Sequence, residues 1–329
     1  MREKGLTKRR LGKSEIEITP IGLGTWQFSK GKGFVGGFWK DLDDDATRSV
    51  VKAALDGGID WFDTAEIYGH GSSERGLAAA LAAIGVAPGT VMVTTKWWPY
   101  FKTARNIAST IDERLECLSP YPIDLYQIHQ RFGVANVARQ IDAMADLVEA
   151  GKIKSVGVSN FSALEMEVAQ AALAKRGLPL VSNQVRISLL DRSIERNGVL
   201  EAARRLGVTL IAYSPLAQGI LTGRFHDDPQ ALKSVKAMRR ISGSIKPAVI
   251  AATAPLVAQL KKAAAAHGVK PSQVALNWLI NFWGDSVVAI PGASKPSQAT
   301  EAAGAMDFTL GKAEMEAIDS LSRGLSVLG

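Results

Sequence analysis

Four side chains that can move or place a proton fall at short, ordered intervals: Asp63 and Tyr68 in Asp63-Thr-Ala-Glu-Ile-Tyr-Gly69, then Lys96, then His129. A phenol is a poor acid near neutral pH, its unperturbed pKa being about 10. An ammonium beside it favours the phenolate and is expected to pull that pKa down. A carboxylate can keep the ammonium in place, and an imidazole can orient a substrate oxygen. Together they make a proton donor aimed at a carbonyl. That is half of a reduction; the hydride must come from a cofactor.

The elements that position these groups follow a repeat of short apolar run, turn, amphipathic stretch and turn. Candidate strands cover residues 21–24, 60–63, 91–96 and 124–129, then 155–159, 180–184, 209–213 and 287–291. Short apolar runs of this kind suit strands covered on both faces. Helical periodicity marks residues 44–56, 104–118, 137–150 and 162–175, and Ser162 with Glu165 fits a capping box. Eight strand–helix units predict an α/β fold, a closed (β/α)8 TIM barrel, as one domain spanning residues 1–329. Residues 10–19 read as a β-hairpin ahead of the first barrel strand, plugging the N-terminal end. Residues 225–250 read as a long loop after strand seven. In such barrels the active site lies at the C-terminal strand ends. Asp63, Lys96 and His129 end strands two, three and four, and Tyr68 lies in the loop after strand two, so all four converge on one mouth.

Composition is compatible with this. The chain has 329 residues, 47% of them hydrophobic, and carries a net charge of +7. Arg2, Lys4, Lys8, Arg9, Arg10 and Lys13 against Glu3 place +5 of that charge in the first 13 residues, leaving +2 for the rest. That pattern is a basic terminus, not a nucleic-acid surface. No apolar run reaches the roughly 20 residues that span a membrane. Met1-Arg2-Glu3-Lys4 has no apolar signal region behind it, and Cys117 is the single cysteine, so a cytoplasmic location is expected.

An ordered set of segments resembles the aldo-keto reductase superfamily over nearly the whole chain. These are Gly22-Leu-Gly-Thr-Trp26, Asp63–Gly69, Thr95-Lys96, Asp124–His129, Gly157-Val-Ser-Asn160, Ser182-Asn-Gln184, Tyr213-Ser-Pro-Leu216 and Ile290-Pro-Gly-Ala-Ser294. The chain is most similar to bacterial and plastid-type members with a long loop after strand seven. The resemblance implies reduction of aldehydes or ketones by a nicotinamide cofactor, usually NADPH, without metal. It implies Tyr68 as general acid, Lys96 lowering its pKa, Asp63 pairing with Lys96, and His129 orienting the carbonyl.

The same resemblance implies the cofactor residues. Gly24, Thr25, Trp26 and Asp63 border the site; Ser159, Asn160 and Gln184 hold the nicotinamide carboxamide; Tyr213 stacks on the ring. Ser214, Pro215, Leu216, Gln218, Gly219 and Leu221 form the pyrophosphate side, with Arg224 on a phosphate. Gly292, Ser294, Lys295, Gln298 and Glu301 meet the adenosine end, with Lys295 and Ser294 placed for a 2′-phosphate, so NADPH is expected over NADH, which stays possible. Gln298 stands where many relatives carry Arg or Lys, and Ala302 where they carry Asn; Arg239 and Arg240 are candidates to supply the missing charge. No G-x-G-x-x-G follows a strand, so a Rossmann fingerprint plays no part.

The substrate, a small-molecule carbonyl compound, is expected among Trp26, Tyr68, Trp97, Trp98, His129 and Arg131. Phe28, Phe34, Phe38 and Trp39 from the first loop, with Tyr100 and Phe101 from the third, extend an aromatic cleft. Arg131 could anchor a carboxylate, phosphate or hydroxyl-rich group. No nucleic-acid, membrane or metal partner is expected, and the oligomeric state is undetermined. Two other readings compete. A cofactor-sensing interaction subunit, like the potassium-channel β subunits that resemble this family, would bind nicotinamide without turnover. A barrel lyase would use Lys96 as a Schiff-base amine, but leaves residues 159–160, 213–216 and 290–294 unexplained.

Overall fold

The structure, a computed structural model, describes residues 7–33, 38, 41–235 and 245–325. Eight parallel strands form one sheet: β3 (Leu23–Gly24), β4 (Trp61–Asp63), β5 (Met92–Trp97), β6 (Leu125–Ile128), β7 (Ser155–Ser159), β8 (Leu180–Arg186), β9 (Thr209–Tyr213) and β10 (Val287–Ala289). They pair in chain order, and parallel bridges Ile21–Ala289 and Gly24–Gly292 join the last strand to the first. The (β/α)8 barrel is closed.

The helices between them are α1 (Asp44–Asp56), α2 (Ser72–Ala83), α3 (Arg105–Leu118), α4 (Val137–Glu149), α5 (Ala163–Ala174) and α6 (Val199–Leu206). After β9 come α7 (Arg224–Asp227), α8 (Pro247–His267) and α9 (Pro271–Phe282), and after β10 come α10 (Pro296–Gly304) and α11 (Lys312–Arg323). Local chemistry sets several boundaries. The Asp43 carboxylate accepts from the Ala46 N–H at 2.7 Å, and Asp44 and Asp45 complement the dipole of α1. At α5 the Ser162–Glu165 capping box is present as expected. Pro271 starts α9, where a missing N–H costs nothing.

The stretch 225–250 is less open than its sequence predicts. Residues 224–227 and 229–234 are short helical turns, and α8 begins at Pro247. Phe225, Ala231, Val235 and Ile245 are buried and pin the connection to the core. Arg239 and Arg240 lie outside the described residues, as do Phe34 and Trp39.

Two apolar cores divide the protein. The large one lies between the sheet and the helices. The small one fills the barrel interior: Trp61, Met92, Leu125, Val181, Ile211, Val288 and Ile290 meet Leu11 and Ile18. Those last two come from the N-terminal hairpin, β1 (Arg9–Arg10) paired antiparallel with β2 (Glu17–Ile18). The expected plug is therefore there. Trp61 is fixed within it by an indole bond to the Thr19 carbonyl at 2.9 Å, and its ring leaves space only for a glycine at 22, since a Cβ there would sit 2.3 Å from it. Ile18 is fully buried in this floor. Ile18→Ala should lower the unfolding free energy by about 3 kcal/mol, read from urea denaturation. A loss within about 0.5 kcal/mol, as for a surface site, would mean the hairpin does not close the barrel.

Candidate active site

Side chains alternate along a strand, so each barrel strand sends every second residue inward. The lower inward positions are the apolar floor; the upper ones are polar. Asp63 stands above Trp61, Thr94 and Lys96 above Met92, Gln127 above Leu125, and Tyr213 above Ile211. The polar layer rests on a dry platform.

Lys96 and Asp63 are its centre. Nζ of Lys96 lies 2.5 Å from Asp63 Oδ1 and donates to the Thr64 carbonyl at 2.8 Å, and neither side chain is more than 2% exposed. The second carboxylate oxygen accepts from Gln184 Nε2 at 2.9 Å, Thr94 Oγ1 at 3.2 Å and Gln127 Nε2 at 3.3 Å. Burial pulls the Lys96 ammonium below its ordinary value, and Asp63 opposes that shift. A charge left alone here would be costly, so the donors around Asp63 are part of the pair.

Tyr68 lies over Lys96, whose Nζ is 5.1 Å from its ring centroid. His129 meets Tyr68 edge-on at 5.7 Å, and Trp26 stacks on the other side at 6.0 Å. All four expected groups therefore converge. The tuning differs from the expectation. The Tyr68 phenol is raised well above its ordinary value, first by burial, then by the Asp63 and Tyr213 charges. Asp63 compensates the Lys96 ammonium before the phenol feels it, so the net environment favours the neutral phenol. Burial, with the nearby Lys96 charge, likewise holds His129 well below its ordinary value. Its buried Nδ1 has no hydrogen-bond partner among the described residues.

The expected nicotinamide residues form one connected group. The Ser159 hydroxyl donates to the Gln184 carbonyl at 2.8 Å, Asn160 Nδ2 donates to Ser159 Oγ at 3.1 Å, and Tyr213 OH donates to Asn160 Oδ1 at 3.0 Å. Asn160 and Ser214 adopt left-handed backbone, φ 61° and 52°, a conformation that costs energy and concentrates at functional sites. The Gln184 side-chain amide is committed to Asp63, and it is the Gln184 backbone carbonyl that meets this group. Thr25 is fully buried, bonded to the Asp63 carbonyl and to Ser73, and Gly24 bridges Gly292 across the barrel seam. Pro215 and Leu216 lead into a 3-10 turn, Ala217–Thr222, in which Gln218 and Gly219 turn left-handed. There the Gly219 and Leu221 amides both bond the Leu216 carbonyl, and the Leu221 side chain belongs to the large core, so it offers no phosphate contact. Arg224 is exposed beside Phe225.

At the far end, Gln298 Oε1 accepts from the Ser294 N–H at 2.8 Å, shaping the turn that leads into α10 with exposed Lys295 as its N-cap. Glu301 accepts from Ser272 at 3.1 Å. A nicotinamide dinucleotide fits this arrangement. Tyr213 is tethered at its hydroxyl and has no aromatic ring stacked on it among the described residues. Lys295 and Arg224, the cations expected on the phosphates, are both exposed.

The pocket aromatics divide. Trp26 and Trp98 border the site, Trp98 at 5.1 Å from His129, and rings continue outward through Tyr100 at 6.5 Å and Phe101 at a further 4.3 Å. Phe38 lies 5.4 Å from Trp26. Trp97 does not join them. It follows Lys96 in the strand, so it faces the helices, fully buried, with its indole bonded to Asn106 at 2.9 Å. Phe28 is likewise in the large core. Arg131 is exposed over Phe132, to one side of the ring series.

Several working residues went unassigned in the sequence. Thr94 and Gln127 complete the Asp63 shell, and polar types at upper inward positions were the available signal. Glu66, inside the same motif as Tyr68, accepts from the Trp98 N–H at 2.6 Å and from Lys102 at 2.7 Å, tying the two loops together. Behind β5, the buried Glu74 accepts from Thr95 and Arg114, each at 2.6 Å, and burial pushes its carboxyl up to about 7.

Comparison with known proteins places this geometry in context. The model of the Aldo/keto reductase family matches residues 20–323. An uncharacterized oxidoreductase of Mycobacterium tuberculosis is 37% identical over 309 residues, covering 93% of this chain and 90% of its own. A 6-dehydroglucose reductase of Novosphingobium aromaticivorans is 31% identical, covering 88% and 97%. Among solved structures, the glycerol dehydrogenase of Gluconobacter oxydans superposes with a TM-score of 0.77 at 26% identity, over 97% of this chain and 96% of its own. No described helix is long and apolar enough to cross a membrane.

The Lys96–Asp63 geometry makes a stability test. Either Lys96→Met or Asp63→Asn should cost about 3–5 kcal/mol, because each strands one member of a buried pair. The double variant should cost clearly less than the sum in urea denaturation. Additive losses would show that the two residues do not act as a pair.

Proposed function

The chain belongs to the aldo/keto reductase family and is an NAD(P)H-dependent oxidoreductase, and we propose that it reduces aldehydes or ketones to alcohols with NADPH, Tyr68 giving the proton. The observation that carries this reading is the convergence of Tyr68, Lys96, Asp63 and His129 on a half-buried mouth bordered by the Ser159–Asn160–Tyr213 group. Bound reduced nicotinamide supplies the hydride. Tyr213 offers the ring a flat support, and Ser159 and Asn160 offer a hydroxyl and an amide to its carboxamide. Lys295 at the head of α10, with Ser294 beside it, favours a 2′-phosphate and so NADPH.

The proton side follows from the electrostatics. A phenol that stays protonated at neutral pH is a loaded donor. As negative charge develops on the carbonyl oxygen, the proton on Tyr68 moves to it, and Lys96 stabilises the phenolate left behind. His129, uncharged, orients the oxygen by hydrogen bonding without competing for the proton. Trp26 and Trp98 flank the mouth and exclude water. The reading as a nicotinamide-binding subunit without turnover leaves Lys96, Asp63 and their four-partner shell without a task.

Two experiments test this. Tyr68→Phe should lower kcat for NADPH-dependent aldehyde reduction by a factor of about 10²–10⁴, the usual worth of a general acid. NADPH binding, followed by fluorescence, should be unchanged. Equal turnover by the variant would remove Tyr68 from the chemistry.

The pH dependence has a definite sign. The reactive form needs Tyr68 protonated and His129 neutral. Tyr68 titrates above its ordinary value and His129 below its own, so the reductive rate should be flat between about pH 7 and 9, which lies inside the ordinary values of the two groups. It should fall only in stronger alkali or acid. An inflection near the ordinary histidine value would show that His129 charges in the working range.

A further inference from the structure

Between the loops that follow β6, β7 and β8 lies a second cleft, of about 260 Å³. Arg131 and Arg186 line it, together with Asn160, Ser162, Ser193 and Asn197. Arg131 and Arg186 are both exposed, unlike Arg114, which pairs with Glu74 and Glu113, and Arg192, which pairs with Glu195 and Asp319. Neither Arg131 nor Arg186 has an ion pair or side-chain hydrogen bond among the described residues. Arg131 lies 5.1 Å over the Phe132 ring, and Arg186 is sensed electrostatically by the Tyr213 phenol.

The acids nearby are already engaged. Asp191 Oδ1 accepts from the Ser193 hydroxyl at 2.8 Å and its N–H at 3.2 Å. Glu165 caps α5, accepting from the Ser162 N–H at 2.8 Å and hydroxyl at 2.7 Å. That carboxylate puts a negative charge at the helix N-terminus, so the two guanidiniums are the cations that the cleft offers. Two exposed guanidiniums without an ion pair among the described residues, on one concave surface, present paired N–H donors that match a carboxylate.

The cleft abuts the reacting site. Arg131 is two residues beyond His129. Asn160, on the cleft wall, donates to the His129 carbonyl at 3.3 Å and accepts from Tyr213 at 3.0 Å. We propose that the Arg131–Arg186 cleft holds the carboxylate of an oxo-acid substrate whose carbonyl group lies at Tyr68. This rests on the reductase reading above and adds a substrate class to it: aldehydes or ketones that carry a carboxylate away from the reacting carbon.

Matched pairs decide it: 4-carboxybenzaldehyde against benzaldehyde, and straight-chain aldehydes with and without a terminal carboxylate, each with NADPH. The native protein should favour the carboxylated member in kcat/KM. In Arg131→Ala and in Arg186→Ala that preference should fall by about tenfold or more, mainly through KM, as loss of a charge-assisted bond gives. Arg186→Lys should recover part of it. Equal kcat/KM for both members in the native protein, or a preference that survives in the double alanine variant, overturns the proposal. Terephthalate, which cannot be reduced at an aldehyde, is titrated calorimetrically into the native protein and the double variant. Weaker binding by the double variant supports the cleft even if no aldehyde is turned over, an outcome that would sink the reductase reading alone. Equal binding by both counts against the cleft.

Discussion

A lysine ammonium and an aspartate carboxylate, 2.5 Å apart and out of contact with solvent, impose the most demanding condition on this barrel. Removing two ions from water costs several kcal/mol per ion even after relaxation, and their attraction offsets that only where every remaining lone pair and proton is satisfied. The fold meets the condition from separate strands. Thr64 follows β4, Thr94 comes from β5, Gln127 from β6 and Gln184 from β8. Thr94, Gln127 and Gln184 reach one carboxylate, and the Thr64 carbonyl reaches the ammonium, only because the sheet curls and closes. The apolar floor beneath keeps water from rising to the pair from below.

That pair also explains why Tyr68 behaves differently from a phenol beside a free ammonium. Lys96 gives its proton-donating capacity to Asp63 and the Thr64 carbonyl, so the resting phenol keeps its own proton. Stabilisation by Lys96 matters most once the phenol has given that proton away. An arrangement that favours the charged product of proton transfer, without forming it in advance, is complementary to the reacting state and not to the resting one. His129 obeys the same logic, since an imidazole kept neutral by burial can hold an oxygen without taking the proton's place.

Much of this was legible in the chain. Residues 44–56 form a helix as periodicity predicts, and residues 155–159 and 209–213 form strands with the expected bounds. The four proton-handling residues come together as their strand-end positions require. The misplacements share a cause. Trp97 and Phe28 were grouped with pocket aromatics because they are large and near the motif, but strand alternation and core packing decide which way a ring faces. Gln127, within the Asp124–His129 segment, and Thr94, next to Thr95-Lys96, have no role legible in the chain because a single polar residue in an apolar strand does not show what it will face. Their inward register above Leu125 and Met92 is visible only when the strands are read in pairs of positions. The segment from residue 225 reads as open loop in the sequence because its short turns lack the length that makes helical periodicity detectable, and Pro247, a start signal for α8, lies inside it. The cleft at Arg186 had no local signature, since its charge matters only through what fails to pair with it in space.

The hairpin that carries Leu11 and Ile18 across the barrel floor also sets the direction of approach. Side chains fill the cylinder from its lower end up to the polar layer, so nothing reaches the Lys96–Asp63 pair along the barrel axis from below. Every molecule that meets the pair comes past the loops that follow the strands. Those loops can therefore change what is admitted while the floor and the buried pair stay as they are.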